Sequence, residues 1–330
     1  MKNVNDIRVE MVRVVGDLAP FVKIDYVDTD AQEHSGLLIV DSCCVHNILF
    51  GKRASILGLV YNPTNETVSI GTIANTKVTT SVGKVAFTFE GGQFVEPFCI
   101  SDNDNDIPSH VGDLPIIGIL GNLFLQKFNL SIDYSNYTLH TSNACTESMP
   151  ISDCDFFFPM EIGLKNYGLP ILSLRQDGKE VVALADTGST NNVLSSQVIT
   201  ELGFDCQYLK TTDAVAGVKG CVEAKDAVMS FCLLTLTEDD KDEVSHKDVF
   251  KVLPHTLISP EEGQCDENGN QLPPVVSLIG SPFMSRENWV LDFGAKIIYR
   301  RKTDKPKKWN VRVRVYQTVK SIFPFFEISY

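Results

Sequence analysis

The stretch VVALADTGSTNNVL, residues 181–194, runs an apolar segment into an aspartate, a threonine and a glycine, and the chain carries it twice. Residues 36–59, GLLIVDSCCVHNILFGKRASILGL, align without a gap to residues 181–204, VVALADTGSTNNVLSSQVITELGF, at an offset of 145. Asp41 falls on Asp186, Ser42 on Thr187, Asn47 on Asn192 and Leu49 on Leu194, and Leu57-Gly58 falls on Leu202-Gly203. Each copy reads as an apolar strand, a polar turn and a short helical stretch that stops at glycine. Self-similarity on this scale marks a duplicated unit.

A second block repeats at an offset of 159. Residues 119–140, ILGNLFLQKFNLSIDYSNYTLH, match residues 278–299, LIGSPFMSRENWVLDFGAKIIY, with Gly121 on Gly280, Asn129 on Asn288 and Asp133 on Asp292. The larger offset implies about fourteen extra residues in the second copy. The acidic run TEDDKDEVSHKD, residues 237–248, is the expected insertion, because charge runs are usually solvated loops. Between the blocks, KVAFTFEGGQFVEPFCI and AVMSFCLLTL are rich in Val, Phe, Thr and Leu, which favour strands and hairpins. The expected architecture is mainly β, with two similar lobes over residues 8–145 and 155–300. Residues 301–330 form a C-terminal extension.

At 330 residues there is room for two cores. With 43% apolar and 22% charged residues the chain reads as an ordinary folded protein, neither disordered nor membrane-spanning. The first thirty residues carry Asp6, Glu10, Asp17 and Asp25 and no apolar h-region, so a cytoplasmic location is expected. Nine cysteines form no CxxC pair, which suits a reducing compartment, and no Cys/His spacing suits a metal. Three glycosylation sequons, at Asn65, Asn129 and Asn136, read as chance matches in that setting. Of the net charge of -13, residues 300–330 contribute nine Lys or Arg against Asp304 and Glu327, a net of +7 that leaves -20 on the rest. The basic tail is expected to contact its own acidic body or stay solvated, with an anionic surface as the other reading and nucleic acid not expected as a partner.

An aspartate at the end of a buried strand has reduced solvation and a fixed direction, which suits it to proton chemistry. An apolar strand before DTG, NNVL after it, and VVSLIG at 275–280 together resemble the aspartic peptidases, specifically the retropepsin-like and pepsin-like group. The first copy has DSCC and PIIGILG in the same order. The resemblance covers most of residues 20–300 and implies two retropepsin-like (acid-protease) β-barrel lobes meeting on a pseudo-two-fold axis. It implies catalysis by Asp186 and Asp41 on a peptide or protein substrate, in a monomer, with no metal or organic cofactor. It also implies that the Thr187 and Ser42 hydroxyls bond across the axis. Ser189 is then expected to offer its hydroxyl to the outer oxygen of Asp186.

The first copy departs from this pattern, with Cys43 at the place of Gly188 and Cys44 at the place of Ser189. A thiol is a weaker donor than a hydroxyl, so Asp41 is expected to be the less stabilised anion and the proton holder. His46 is expected to point to solvent, and Asp133 and Asp292 to be structural. Candidate flaps are residues 68–78 and 214–224, where Gly71, Gly217 and Gly220 permit tight turns. Two readings stand side by side: an aspartic endopeptidase, and a peptide-binding or scaffolding module that kept the duplicated fold without catalysis.

Overall fold

The apolar run before each aspartate is continuous because its strand is buried on both faces. In Glu33–Val40, Leu38 and Val40 enter the main core while Leu37 and Ile39 enter a separate cluster. In Lys179–Asp186, Ala183 and Ala185 join the main core and Leu184 joins an outer cluster of the second lobe. A half-solvated strand alternates apolar with polar; one packed between two clusters does not. The structure, a computed structural model, describes residues 7–12, 19–71, 77–90, 92–102, 107–142, 154–159, 161–162, 169–217, 220–234, 243–257 and 274–301.

In chain order the first half contains β1 (Arg8–Glu10), β2 (Phe21–Val27), β3 (Glu33–Val40), β4 (Ile48–Phe50), α1 (Gly51–Ile56), β5 (Tyr61–Gly71), β6 (Lys77–Phe89), β7 (Gly92–Ser101), β8 (His110–Val111), β9 (Leu114–Leu120), α2 (Asn122–Lys127), β10 (Leu130–Asp133) and β11 (Thr138–Thr141). The second half contains β12 (Cys154–Pro159), β13 (Glu161–Ile162), β14 (Pro170–Gln176), β15 (Lys179–Asp186), β16 (Asn192–Ser195), α3 (Ser196–Thr200), β17 (Gln207–Gly217), β18 (Gly220–Leu234), β19 (Glu243–Leu253), β20 (Ser277–Gly280), α4 (Ser281–Arg286), β21 (Trp289–Asp292) and β22 (Ile297–Arg301).

One sheet has the order β2-β3-β9-β4-β7-β6-β5 and curls until Asp25 of β2 pairs Thr88 of β6. The other has the order β14-β15-β20-β16-β19-β18-β17, with β13 beside β14, and closes where Leu174 and Arg175 of β14 pair Leu233 and Cys232 of β18. The two orders correspond strand for strand. The molecule is therefore mainly β, with a barrel-like sheet in each of two similar lobes. In each, a late strand inserts beside the aspartate strand: β9 runs parallel to β3 and antiparallel to β4, and β20 does the same between β15 and β16.

A third sheet, β1-β11-β10-β21-β22-β12, takes three strands from each half. At its centre Ser131 pairs Asp292, Ile132 pairs Leu291 and Asp133 pairs Val290. The 159 offset maps Ile132 onto Leu291 and exchanges the two flanking pairs, so the pseudo-two-fold axis passes between these residues. Left-handed backbone recurs at the matching positions Gly58 and Gly203, Asn129 and Asn288, and Tyr137 and Lys296. Asp133, which accepts Ser135 N–H at 2.8 Å and Asn136 N–H at 3.0 Å, and Asp292, which accepts Ala295 N–H at 2.8 Å, close turns as structural residues.

The acidic run is only partly a loop. Residues 243–248 belong to β19, which pairs with β18 from Glu243–Leu234 to Val252–Lys225. Ile48 pairs Cys99 and Val193 pairs Lys251, so the offset is 145 at the first strand and 152 (251 − 99) at the second. Since Gly121 and Gly280 differ by 159, the fourteen extra residues divide equally before and after β19.

Both flap candidates are hairpin ends: Gly71 pairs Lys77, and Gly217 pairs Gly220. Their tips, residues 72–76 and 218–219, lie outside the described residues, as does the basic extension beyond Arg301. Among the described residues no helix is long and apolar enough to cross a membrane.

Candidate active site

Each aspartate loop is held by the strand inserted beside it. Gly121 N–H donates to Asn47 Oδ1 at 2.9 Å, and Gly280 N–H donates to Asn192 Oδ1 at 2.9 Å. A Cβ on Gly121 would stand 2.4 Å from His46 O, and one on Gly280 would stand 2.4 Å from Asn191 O. Neither glycine has positive φ, so what the glycine provides is close approach of two backbones. The next residue completes each clamp: Asn122 Nδ2 donates to Ser42 O at 2.5 Å, and Ser281 Oγ donates to Thr187 O at 2.6 Å.

The two loops then grip each other across the axis. Ser42 N–H donates to Thr187 Oγ1 at 2.9 Å, and Thr187 N–H donates to Ser42 Oγ at 2.9 Å. Each hydroxyl passes its own proton onward, Thr187 Oγ1 to Val40 O at 2.7 Å and Ser42 Oγ to Ala185 O at 2.5 Å. Both side chains are fully buried, so all four bonds are shielded from water. The Ser42 and Thr187 hydroxyls thus bond across the axis to the opposite loop.

The grip brings Asp41 and Asp186 together. Asp41 Oδ1 accepts the N–H groups of Cys43 and Cys44, both at 2.8 Å, while Asp186 Oδ1 accepts those of Gly188 at 3.0 Å and Ser189 at 3.2 Å. A Cβ on Gly188 would lie 2.3 Å from Asp41 Oδ2 and 2.4 Å from Asp41 Cγ. The Asp41 carboxylate occupies the space a side chain at 188 would need. Cys43, at the place of a glycine in the other copy, fits without left-handed backbone. Its thiol turns to the second lobe, donating to Ala185 O at 3.5 Å and packing with Val45 against the cluster of Leu184, Val193 and Val215.

Burial raises both carboxyl groups. Asp186 stands well above 3.8 through burial and the adjacent Asp41 charge, with the bond to Asp41 adding to the rise. Asp41 is raised by burial but held down by the N–H groups of Cys43 and Cys44 and by a hydrogen bond from Asp186. Standing side by side, the two carboxyl groups share one proton. The backbone bonds to Asp41 are the shorter pair, 2.8 Å each against 3.0 and 3.2 Å at Asp186, which favours the Asp41 anion and runs against the sequence expectation that Asp41 keeps the proton. The Cys43 and Cys44 thiols are pushed well above 9.0 by burial and then by the aspartates, so both stay protonated and poorly nucleophilic.

Ser189 differs from its expected role. Its hydroxyl donates to Asn191 O at 2.7 Å and only its backbone N–H reaches Asp186; Cys44 makes the matching thiol contact to His46 O at 3.1 Å. His46 is half-buried rather than solvent-facing, and burial lowers its pKa. The clamps of Asn47, Asn192, Asn122 and Ser281 were not assigned from sequence. The signal existed, since Asn47 and Asn192 align, but their partners lie 74 and 88 residues away. Behind the loops, Tyr134 OH bonds Ser281 Oγ and Gln126 Nε2 bonds Asn122 Oδ1. Among the described residues no group of three or more His, Cys, Asp or Glu is placed to hold a metal. No known family model matches the chain, and neither does any curated protein.

Proposed function

We propose that the protein is a single-chain aspartic endopeptidase of the retropepsin-like and pepsin-like kind, cleaving peptide bonds through Asp41 and Asp186. One observation carries the reading: two half-buried carboxyl groups held against each other by loops that exchange hydrogen bonds reciprocally across a pseudo-two-fold axis. Two such groups cannot both ionise readily, so they share one proton. The unequal pKa values of this type of dyad are a worked case in enzyme chemistry. Ionised Asp41 removes a proton from a water between the pair, and protonated Asp186 donates to the scissile carbonyl oxygen as the water attacks. No covalent enzyme intermediate forms. An extended peptide would add as a strand between the lobes, under the β5–β6 and β17–β18 hairpins.

A second reading, a peptide-binding module without catalysis, draws on Cys43, whose thiol stands beside Asp186 where the other copy has no side chain. One comparison separates the two. Wild type, Asp41→Asn and Asp186→Asn are incubated with a mixed peptide library between pH 4 and 7. The peptidase reading expects cleavage by wild type and its loss in both variants. No cleavage by wild type, with peptide retained, would establish the binding module instead.

A further inference from the structure

Behind the two aspartate loops stand hydrogen-bond chains that are unlike, although the loops are near copies. Ser281 Oγ has one proton and gives it to Thr187 O, so the bond with Tyr134 runs from the phenol to Ser281 Oγ. Burial pushes the Tyr134 phenol well above 10.0, so it remains a donor. The chain continues through the Thr187–Gly188 peptide, whose N–H donates to Asp186 Oδ1. At the other loop Gln126 Nε2 donates to Asn122 Oδ1, Asn122 Nδ2 donates to Ser42 O, and the Ser42–Cys43 peptide donates its N–H to Asp41 Oδ1.

We infer that these relays, Tyr134–Ser281 behind Asp186 and Gln126–Asn122 behind Asp41, are positioning devices that decide which carboxyl group keeps the shared proton. The inference rests on the dyad reading above. A donor on a peptide carbonyl polarises that peptide and strengthens the donation of its N–H. Each relay therefore stabilises the anion of its own aspartate alone.

The inner members, Asn122 and Ser281, correspond at the 159 offset, but neither outer member has a counterpart in the other copy. The 159 offset puts Phe293 at the place of Tyr134 and Ser285 at the place of Gln126. A phenyl ring has no hydroxyl to donate, and a serine is too short to replace a glutamine amide. The amide relay ends on the shorter bonds, 2.8 Å to Asp41 against 3.0 Å to Asp186. The Cys43 and Cys44 thiols, which sense the charge of both aspartates, are neutral in this range. Tyr134 belongs to the first half of the chain and Ser281 to the second, so the state of Asp186 also depends on the lobes staying docked.

The test is an NMR titration of the full chain with ¹³C-labelled aspartate carboxyl groups, comparing wild type, Tyr134→Phe, Ser281→Ala and Gln126→Met. Tyr134→Phe and Ser281→Ala should raise the upper titration step by about 0.3 to 0.6 of a pH unit and widen the gap between steps. Gln126→Met should raise the lower step by a similar amount and narrow the gap. Steps that stay fixed, or move together in all variants, would overturn the relays, since a merely structural loss disturbs both aspartates alike. The readout does not depend on turnover. Opposite gap changes in a chain that cleaves no peptide would uphold the relays and sink the peptidase reading alone.

Discussion

Glycine at 188 serves its neighbour more than its own backbone. Its φ is not left-handed, and what it provides is room for the Asp41 carboxylate. Gly188→Ala is expected to force the carboxyl groups apart and lower kcat/KM for a cleaved peptide by about 100-fold or more, since misplacement near 1 Å costs that much. Cys43→Gly should keep cleavage, and should lower stability by about 1 kcal/mol by removing a packed thiol, read from urea unfolding. The dyad also sets a pH dependence. Because burial raises Asp186 above 3.8, its contribution favours the folded state below that pH and is lost as pH rises through the folded value. Asp186→Asn should therefore unfold at a higher temperature than wild type near pH 7, with the difference shrinking toward pH 4. At this scale the sequence shows that Cys43 departs from the pattern, but not that Asp41 leans over Gly188. A contact between residues 147 positions apart is set by tertiary structure.

Local pattern served the strands well and the charge run poorly. The duplicated apolar segments became β3 and β15, and the blocks containing Gly121 and Gly280 became β9–α2 and β20–α4, as the repeats imply. The acidic run misled because charge was weighed above periodicity. In β19, Ser245, Lys247 and Val249 are exposed while His246 and Asp248 are partly covered, the period of two that a half-exposed strand requires. The asparagine clamps were half visible, as an aligned pair without a stated partner. Asn192→Ala would leave the buried Gly280 N–H without an acceptor and remove the bond to Asp248. A loss of about 2 to 4 kcal/mol in denaturant unfolding is expected, more than a surface asparagine would give.

The lobes are joined by more than a linker. Three strands from each half form one sheet, and the main cluster runs from Ile7 and Val9 through Ile132 and Leu291 to Ile298. That sheet escaped the sequence reading because its strands are short and pair across a separation of about 160 residues, where no local periodicity reports a partner. Its register nevertheless makes the two halves interchangeable about Ile132 and Leu291. Linking two copies in one chain fixes their stoichiometry at one to one and makes their encounter independent of dilution. It also lets the copies diverge separately. In a dimer of identical halves, cysteine at this loop position would appear on both sides at once, including the side where the opposing carboxylate needs the space. Cysteine at 43 in one loop and glycine at 188 in the other is an arrangement open to a duplicated chain and closed to a symmetric pair.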